Sequence, residues 1–356
     1  MKKETVLITG GAGFIGSHTA DALAAKGYGV RIMDNLAPPV HNGAWPRYVR
    51  NKGFELMRGD VRKKADLAKA LRGVSYVYHL AAYQDQRPDF SKFFETNTVS
   101  AALLYEIILE KKLPIKKIVF ASTQFAYGDG EYECRHTGKR FFPEVRAERQ
   151  FTEKQFEILC SHGAPAKFHP FKEAQALTPT NAYGLSKEAI ERLALRFGKT
   201  YGIPSAIVRY SIVQGPRQSP LNLYSGALRI FTIQALKGKP ITVYEDGKEL
   251  RDFVNVHDVV RANLAVMFSR KSDFETFNIG GGKAYTVFDF AKIVKRITGS
   301  VSPIVIGGYR RTDTRHAVSD ISKIKKILKW APRYTPEDSV REYADWLEND
   351  YWKHGN

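Results

Sequence analysis

The chain has 356 residues, of which 43% are hydrophobic, and its 55 Lys and Arg against 37 Asp and Glu give a formal net charge of +18. That length buries a substantial core and accommodates one large or two modest domains. The basic residues are scattered along the chain rather than gathered in a tail or motif, which argues against nucleic acid and suits an anionic small molecule.

Two cysteines suit a reducing compartment, and no apolar run reaches the length of a membrane span, so the expected location is cytoplasmic, away from the bilayer. The opening MKKETVLITGG sets lysines before an apolar run, but Gly10 to Gly16 interrupt it where a signal peptide would continue.

In chain order, Val6 to Ile8 is a β-prone run, Gly10 to Gly16 a glycine turn, Gly16 to Lys26 helical in spacing, and Val30 to Met33 a second strand. Gly11-Ala12-Gly13-Phe14-Ile15-Gly16 fits G-x-G-x-x-G, so backbone amides at a helix N-terminus can approach a pyrophosphate without Cβ obstruction. Asp34 closes the second strand, where its carboxylate can accept ribose hydroxyls and would repel a 2′-phosphate. Strand, turn, helix and acid together predict dinucleotide binding, with NAD favoured over NADP. The contacts expected are Gly10, Gly13, Phe14, Ile15, Asp34 and Asn35.

A third strand, Phe54 to Met57, leads to Asp60 and Val61, and a fourth, Ser75 to Ala82, carries Leu80, Ala81 and Ala82. These strand ends are expected to line the nucleotide, although Asp60 reads nearly as well as a turn or cap. His79 sits among apolar residues and reads as a packed side chain. A helix over Phe93 to Lys112 carries Asn97, and Ile115 to Ser122 forms a fifth strand that ends in Ser122-Thr123-Gln124-Phe125. A helix beginning near Asn181 puts Tyr183 and Lys187 four residues apart on one face. A lysine cation beside the tyrosine favours its phenolate, as a general base requires, but Y-x-x-x-K alone is common among packing residues.

Downstream, strand Ala206 to Tyr210, helix Gly226 to Lys237, helix Val259 to Phe268, strand Phe277 to Ile279, helix Val287 to Thr298, and helical spacing over Ile321 to Trp330 and Ser339 to Trp352 complete an α/β pattern. Trp346 and Trp352 read as core. The expected fold is a doubly wound Rossmann domain over 1–205, with an insertion at 129–178. Residues 206–356 form mainly a smaller α/β substrate domain, interleaved through Tyr201 to Val213 and Asp252 to His257.

Taken together, TGGAGFIG, Asp34, HLAA, the Ser122-Thr123 strand end, Tyr183-x-x-x-Lys187 and Arg251-Asp252-Phe253-Val254 resemble the extended short-chain dehydrogenases that act on nucleotide sugars. The resemblance covers nearly the whole chain. Similarity is greatest to NAD-dependent sugar 4-epimerases of the UDP-galactose type, and Gln214 to Asp252 looks like dTDP-L-rhamnose 4-epimerases. The resemblance implies Tyr183 as base, Lys187 as its electrostatic partner and ribose ligand, Thr123 as the hydroxyl bridging substrate O4 and tyrosine, and Ser122 near the nicotinamide. It also implies tightly held NAD, with transient oxidation at C4 and hydride return, and a homodimer formed through the helices of Phe93–Lys112 and Asn181–Phe197.

The same resemblance implies that Arg251 and Arg310 hold the substrate diphosphate, with surface ion pairs as the alternative, and that Arg217 and Asn222 contact the nucleotide. Dehydratase and decarboxylase relatives carry acids just after the catalytic hydroxyl. Gln124 and Phe125 stand there, which favours epimerisation or simple C4 reduction over dehydration. A non-catalytic NAD sensor is the reading from another class, disfavoured by Thr123, Tyr183 and Lys187 occurring together.

Two departures from the pattern stand out. Ile212 replaces an amide that in relatives positions the sugar diphosphate, leaving Ser211 or Gln214 to compensate. Between Gly128 and Tyr183 lies an unusually long 55-residue separation containing Cys134-Arg135-His136 and Cys160-Ser161-His162. Cys134, His136, Cys160 and His162 suit tetrahedral zinc, although C-x-H is tighter than the usual spacer. The other reading is a lid or oligomer contact with two free thiols and no metal.

Overall fold

The computed structural model describes residues 3–85, 87–222, 226–311 and 313–355. Its centre is a seven-stranded sheet ordered Thr276–Ile279, Ser205–Tyr210, Lys117–Thr123, Tyr76–His79, Thr5–Thr9, Gly29–Asp34, Glu55–Arg58. Every neighbouring pair is parallel. Both faces are covered, which is why the inner strands read as continuous apolar runs rather than alternating ones. Val6, Ile8 and Val119 pack on one face with Ala20 and Leu23 of the Phe14–Ala25 helix and Val259 and Ala262 of the Val256–Met267 helix. Leu7, Ile118 and Phe120 pack on the other with Leu104 of the Ser100–Glu110 helix and Ile190 of the Ala182–Tyr201 helix.

Strand order reverses between Thr5–Thr9 and Tyr76–His79, so a crevice opens beyond their carboxyl ends, where such sheets bind ligands. A second lobe stands over that crevice. Its three-stranded sheet pairs Ile212–Gln214, Leu250–Asn255 and Ala284–Thr286, and its core joins Phe231, Phe290, Tyr343 and Trp346 from three helices. The chain crosses back repeatedly: Ser205–Tyr210, the Val256–Met267 helix and Thr276–Ile279 all belong to the large sheet or its cover. The segment Asp252 to His257, expected to rejoin the large sheet, instead ends a strand of the second lobe and starts the returning helix.

Two helices differ from the periodicity. The Phe93 to Lys112 pattern is interrupted by a widened π turn over Phe94–Val99, between the Phe90–Phe93 and Ser100–Glu110 helices. The Ser339 to Trp352 pattern starts earlier, where Thr335 caps a helix running Pro336–Trp346, and then widens over Leu347–Tyr351. That widening adds a residue to the turn and rotates the last residues of the chain off the buried face. Trp346 is in the core as expected, but Trp352 is 42% exposed, with Lys237 over its ring, and is not core. Among the described residues no helix is long and apolar enough to cross a membrane.

Candidate active site

The glycine turn forms a cradle at the mouth of the crevice. Gly10 has φ +67°, and a Cβ on it would stand 2.8 Å from the Ala81 backbone, so the first strand end and the Leu80-Ala81-Ala82 strand end can touch only through glycine. A Cβ on Gly16 would collide with the Gly10 carbonyl oxygen, and Gly13 caps the Phe14–Ala25 helix with no side chain over its first amides. Asp34 braces the cradle: its carboxylate accepts from Ala12 N at 3.1 Å and Leu36 N at 2.9 Å, leaving further lone pairs for a diol. Tyr48 donates to the Ala12 carbonyl, and Phe14 and Ile15 open the helix beside it. Asn35 is exposed and accepts from Ala37 N. The unobstructed amides and the acid fit an adenosine diphosphate.

Several of the expected cofactor contacts also have partners within the protein. The Asp60 carboxylate is taken by the Arg62 side chain and amide and its own amide by Asp66, which is the turn reading, while Val61 packs in the core. Asn97 is fully buried; its amide holds the Tyr83 backbone at both ends and donates to Ser186, so it positions the loop after Ala82. His79 bridges Thr9 and Ser100, and burial lowers it to about 3, keeping it neutral.

The Tyr183 and Lys187 side chains come from the first turns of the Ala182–Tyr201 helix, whose cap, Asn181, accepts from Gly184 N at 2.8 Å. Thr123 caps the short turn Gln124–Tyr127 at the end of the fifth strand. The Tyr183 hydroxyl meets the Gln84 side-chain amide and the Thr123 hydroxyl. Lys187 donates to the Ala121 carbonyl at 2.9 Å, and its ammonium stands 5.8 Å from the Tyr183 ring centre. Burial raises the phenol to about 12 and lowers Lys187 to about 7, since removing water disfavours both charged forms. The hydrogen bonds from Gln84 and Thr123 oppose the first shift.

One turn beyond Lys187, Glu191 receives the Ser122 hydroxyl and pairs with Arg209, whose Nε lies 2.9 Å away; Arg209 also reaches the Tyr127 hydroxyl at 2.6 Å. The Ser122 hydroxyl, expected near the nicotinamide, donates to a buried ion pair that fixes helix to sheet beneath the site. Sequence reasoning missed Glu191, although it continues the four-residue spacing of Tyr183 and Lys187. It also missed Gln84, which carries no signal beyond its place after HLAA.

On the second lobe, Arg251 donates to the carbonyls of Leu250, Thr314 and Arg315 and closes the 314–315 loop over its strand. Arg310 pairs with Asp313 at 3.0 Å and lies over the Tyr244 ring, as the ion-pair alternative has it. Arg217 pairs with Asp21 and stacks on Tyr48, which places it beside the glycine-turn helix rather than with the other two arginines. Asn222 is in the Ser219 turn, next to residues outside the described set. The Ser211 hydroxyl donates to Asp252 at 2.9 Å and meets Ser319. Two buried amides, those of Gln124 and Gln214, have no hydrogen-bond partner among the described residues. Such groups cost free energy unless a ligand or water completes them.

The family model of the NAD dependent epimerase/dehydratase family matches residues 6–144 and 150–280. The chain belongs to that family. A dTDP-L-rhamnose 4-epimerase of Burkholderia thailandensis is 29% identical over 97% of this chain and 95% of its own length. The structure of the Thermotoga maritima UDP-glucose 4-epimerase with UDP-glucose aligns with a TM-score of 0.80 and 30% identity, over 97% of this chain and 98% of that one. The Bacillus cereus UDP-glucuronic acid 4-epimerase in complex with UDP-glucuronic acid and NAD aligns with a TM-score of 0.79 and 26% identity, over 97% and 99%. The fold is the one expected from the sequence, a parallel Rossmann sheet matching those of epimerase structures.

Proposed function

We propose that this family member is an NAD-dependent nucleotide-sugar 4-epimerase acting on a UDP- or dTDP-hexose. The observation that carries the reading is the buried Tyr183 hydroxyl meeting Thr123 and Gln84 beside Lys187, at the strand end next to the glycine cradle. Similarity to 4-epimerases over the full length supports it. Gly10, Gly13 and Asp34 would hold NAD, and when bound NAD supplies a reversible hydride acceptor. Tyr183 takes the proton from the sugar O4 and returns it, and Thr123 orients that hydroxyl. Lys187 contributes positive charge that favours the phenolate, and Ala121 fixes its position. Gln124 and Phe125 offer no carboxylate for proton transfer at C5 or C6, which disfavours a 4,6-dehydratase.

A dimer through the Phe90–Glu110 region and the Ala182–Tyr201 helix belongs to the same proposal. It is supported by exposed Phe90, Phe94, Val99, Leu109, Leu185 and Tyr201 on those elements. The test is NMR of the purified protein with a panel of UDP- and dTDP-hexoses. C4 interconversion that Tyr183→Phe abolishes is expected. No turnover with any sugar, alongside tight NAD binding, would point to a sensor.

A further inference from the structure

The insertion between Asp129 and Thr178 is a small unit with little to hold it. Its sheet pairs Tyr132–Glu133 with Arg140–Phe141 and Lys167–Phe168, two residues each, and its core is Tyr132, Cys134, Ile158, Cys160 and Ala166. Strands so short, over so few apolar side chains, rarely stand without a staple.

Both cysteines open tight turns. The Gly138 amide donates to the Cys134 carbonyl at 2.8 Å and the Gly163 amide to the Cys160 carbonyl at 2.9 Å, each glycine at positive φ. The two turns face each other, so that one ligand atom each from Cys134, Cys160 and His162 all lie within 4.8 Å. Cys134 Sγ is 3.5 Å from His162 Nδ1. Zinc bonds of about 2.3 Å to sulfur and about 2.05 Å to nitrogen at the tetrahedral angle give an S···N edge of about 3.6 Å, so this edge of the site is already set. His136 lies outside that group of three, with its ring centre 5.4 Å from that of His162. The cysteines are buried and the histidines exposed, which leaves an open path for an ion.

We propose that Cys134, His136, Cys160 and His162 bind one structural zinc ion that pins the two turns of the insertion together. The ion stands apart from the chemistry of the Tyr183 site. It acts on the insertion, which reaches the second lobe through Arg146, paired with Glu245 at 2.7 Å, and through Glu157, paired with Arg315.

The full chain, purified without chelator, should contain about one zinc per chain by elemental analysis, and the Cys134→Ser/Cys160→Ser variant almost none. Cobalt(II) added to chelator-treated wild type should give thiolate-to-cobalt charge-transfer absorption that the variant lacks. The chelator should lower the melting temperature of the wild type, with recovery on adding zinc but not magnesium, and should not move that of the variant. NAD binding, read by fluorescence, should survive in both and shows that the Rossmann domain is folded. Zinc far below one per chain after reconstitution, absence of the cobalt band, or a Cys134–Cys160 disulfide in the unreduced protein would overturn the proposal.

Discussion

Lys187→Met tests the electrostatics of the site through stability. Burial lowers the ammonium from its usual 10.5 to about 7, and with the folded group half protonated at pH 7 this is about 4 kcal/mol against folding there. Between pH 7 and 10.5 the unfolded chain binds a proton at this site that the folded chain does not, so wild-type stability rises with pH across that window. Methionine fills similar space without the charge. It loses the bond to the Ala121 carbonyl, worth about 1 kcal/mol, so a net gain of up to about 3 kcal/mol is expected at pH 7. Urea unfolding of both cofactor-stripped proteins at pH 7, 8.5 and 10 reads this directly. The variant should be the more stable at pH 7, and the gap should shrink as pH rises, while turnover is lost. A variant no more stable than wild type at pH 7, or a gap independent of pH, would refute the reasoning.

Gln124→Leu removes a buried amide that has no partner among the described residues, so the melting temperature should hold or rise while KM for the sugar nucleotide rises; a large fall in melting temperature would mean the amide is structural. Arg315→Met leaves Glu157, Glu245 and Asp246 facing one another around a buried position and should cost about 3–5 kcal/mol in chemical unfolding, with faster proteolysis within 129–178. Unchanged stability would show that those acids find other partners.

The elements legible in the sequence are those whose signal is local. The run Val6 to Ile8, the glycine turn and the acid at Asp34 announce a βαβ unit because each chain position states its own geometry. Tyr183 and Lys187 share a helix face by spacing alone. The rest depends on partners distant in sequence. Nothing local says that Ser122 turns to Glu191, that Arg251 donates to the carbonyls of Thr314 and Arg315, or that Gln84 reaches the Tyr183 hydroxyl across 99 positions. The widened turns at Phe94–Val99 and Leu347–Tyr351 also escape a periodicity that assumes a regular helix, which is why Trp352 reads as core and is not.

The central claim is that hydride returns to the carbon it left. The most direct measurement is NMR of the product formed in ordinary water from a nucleotide hexose deuterated at C4. Full retention of deuterium at C4 of the epimer is predicted. Deuterium found at C6 of a deoxy product, or lost to solvent, would contradict it.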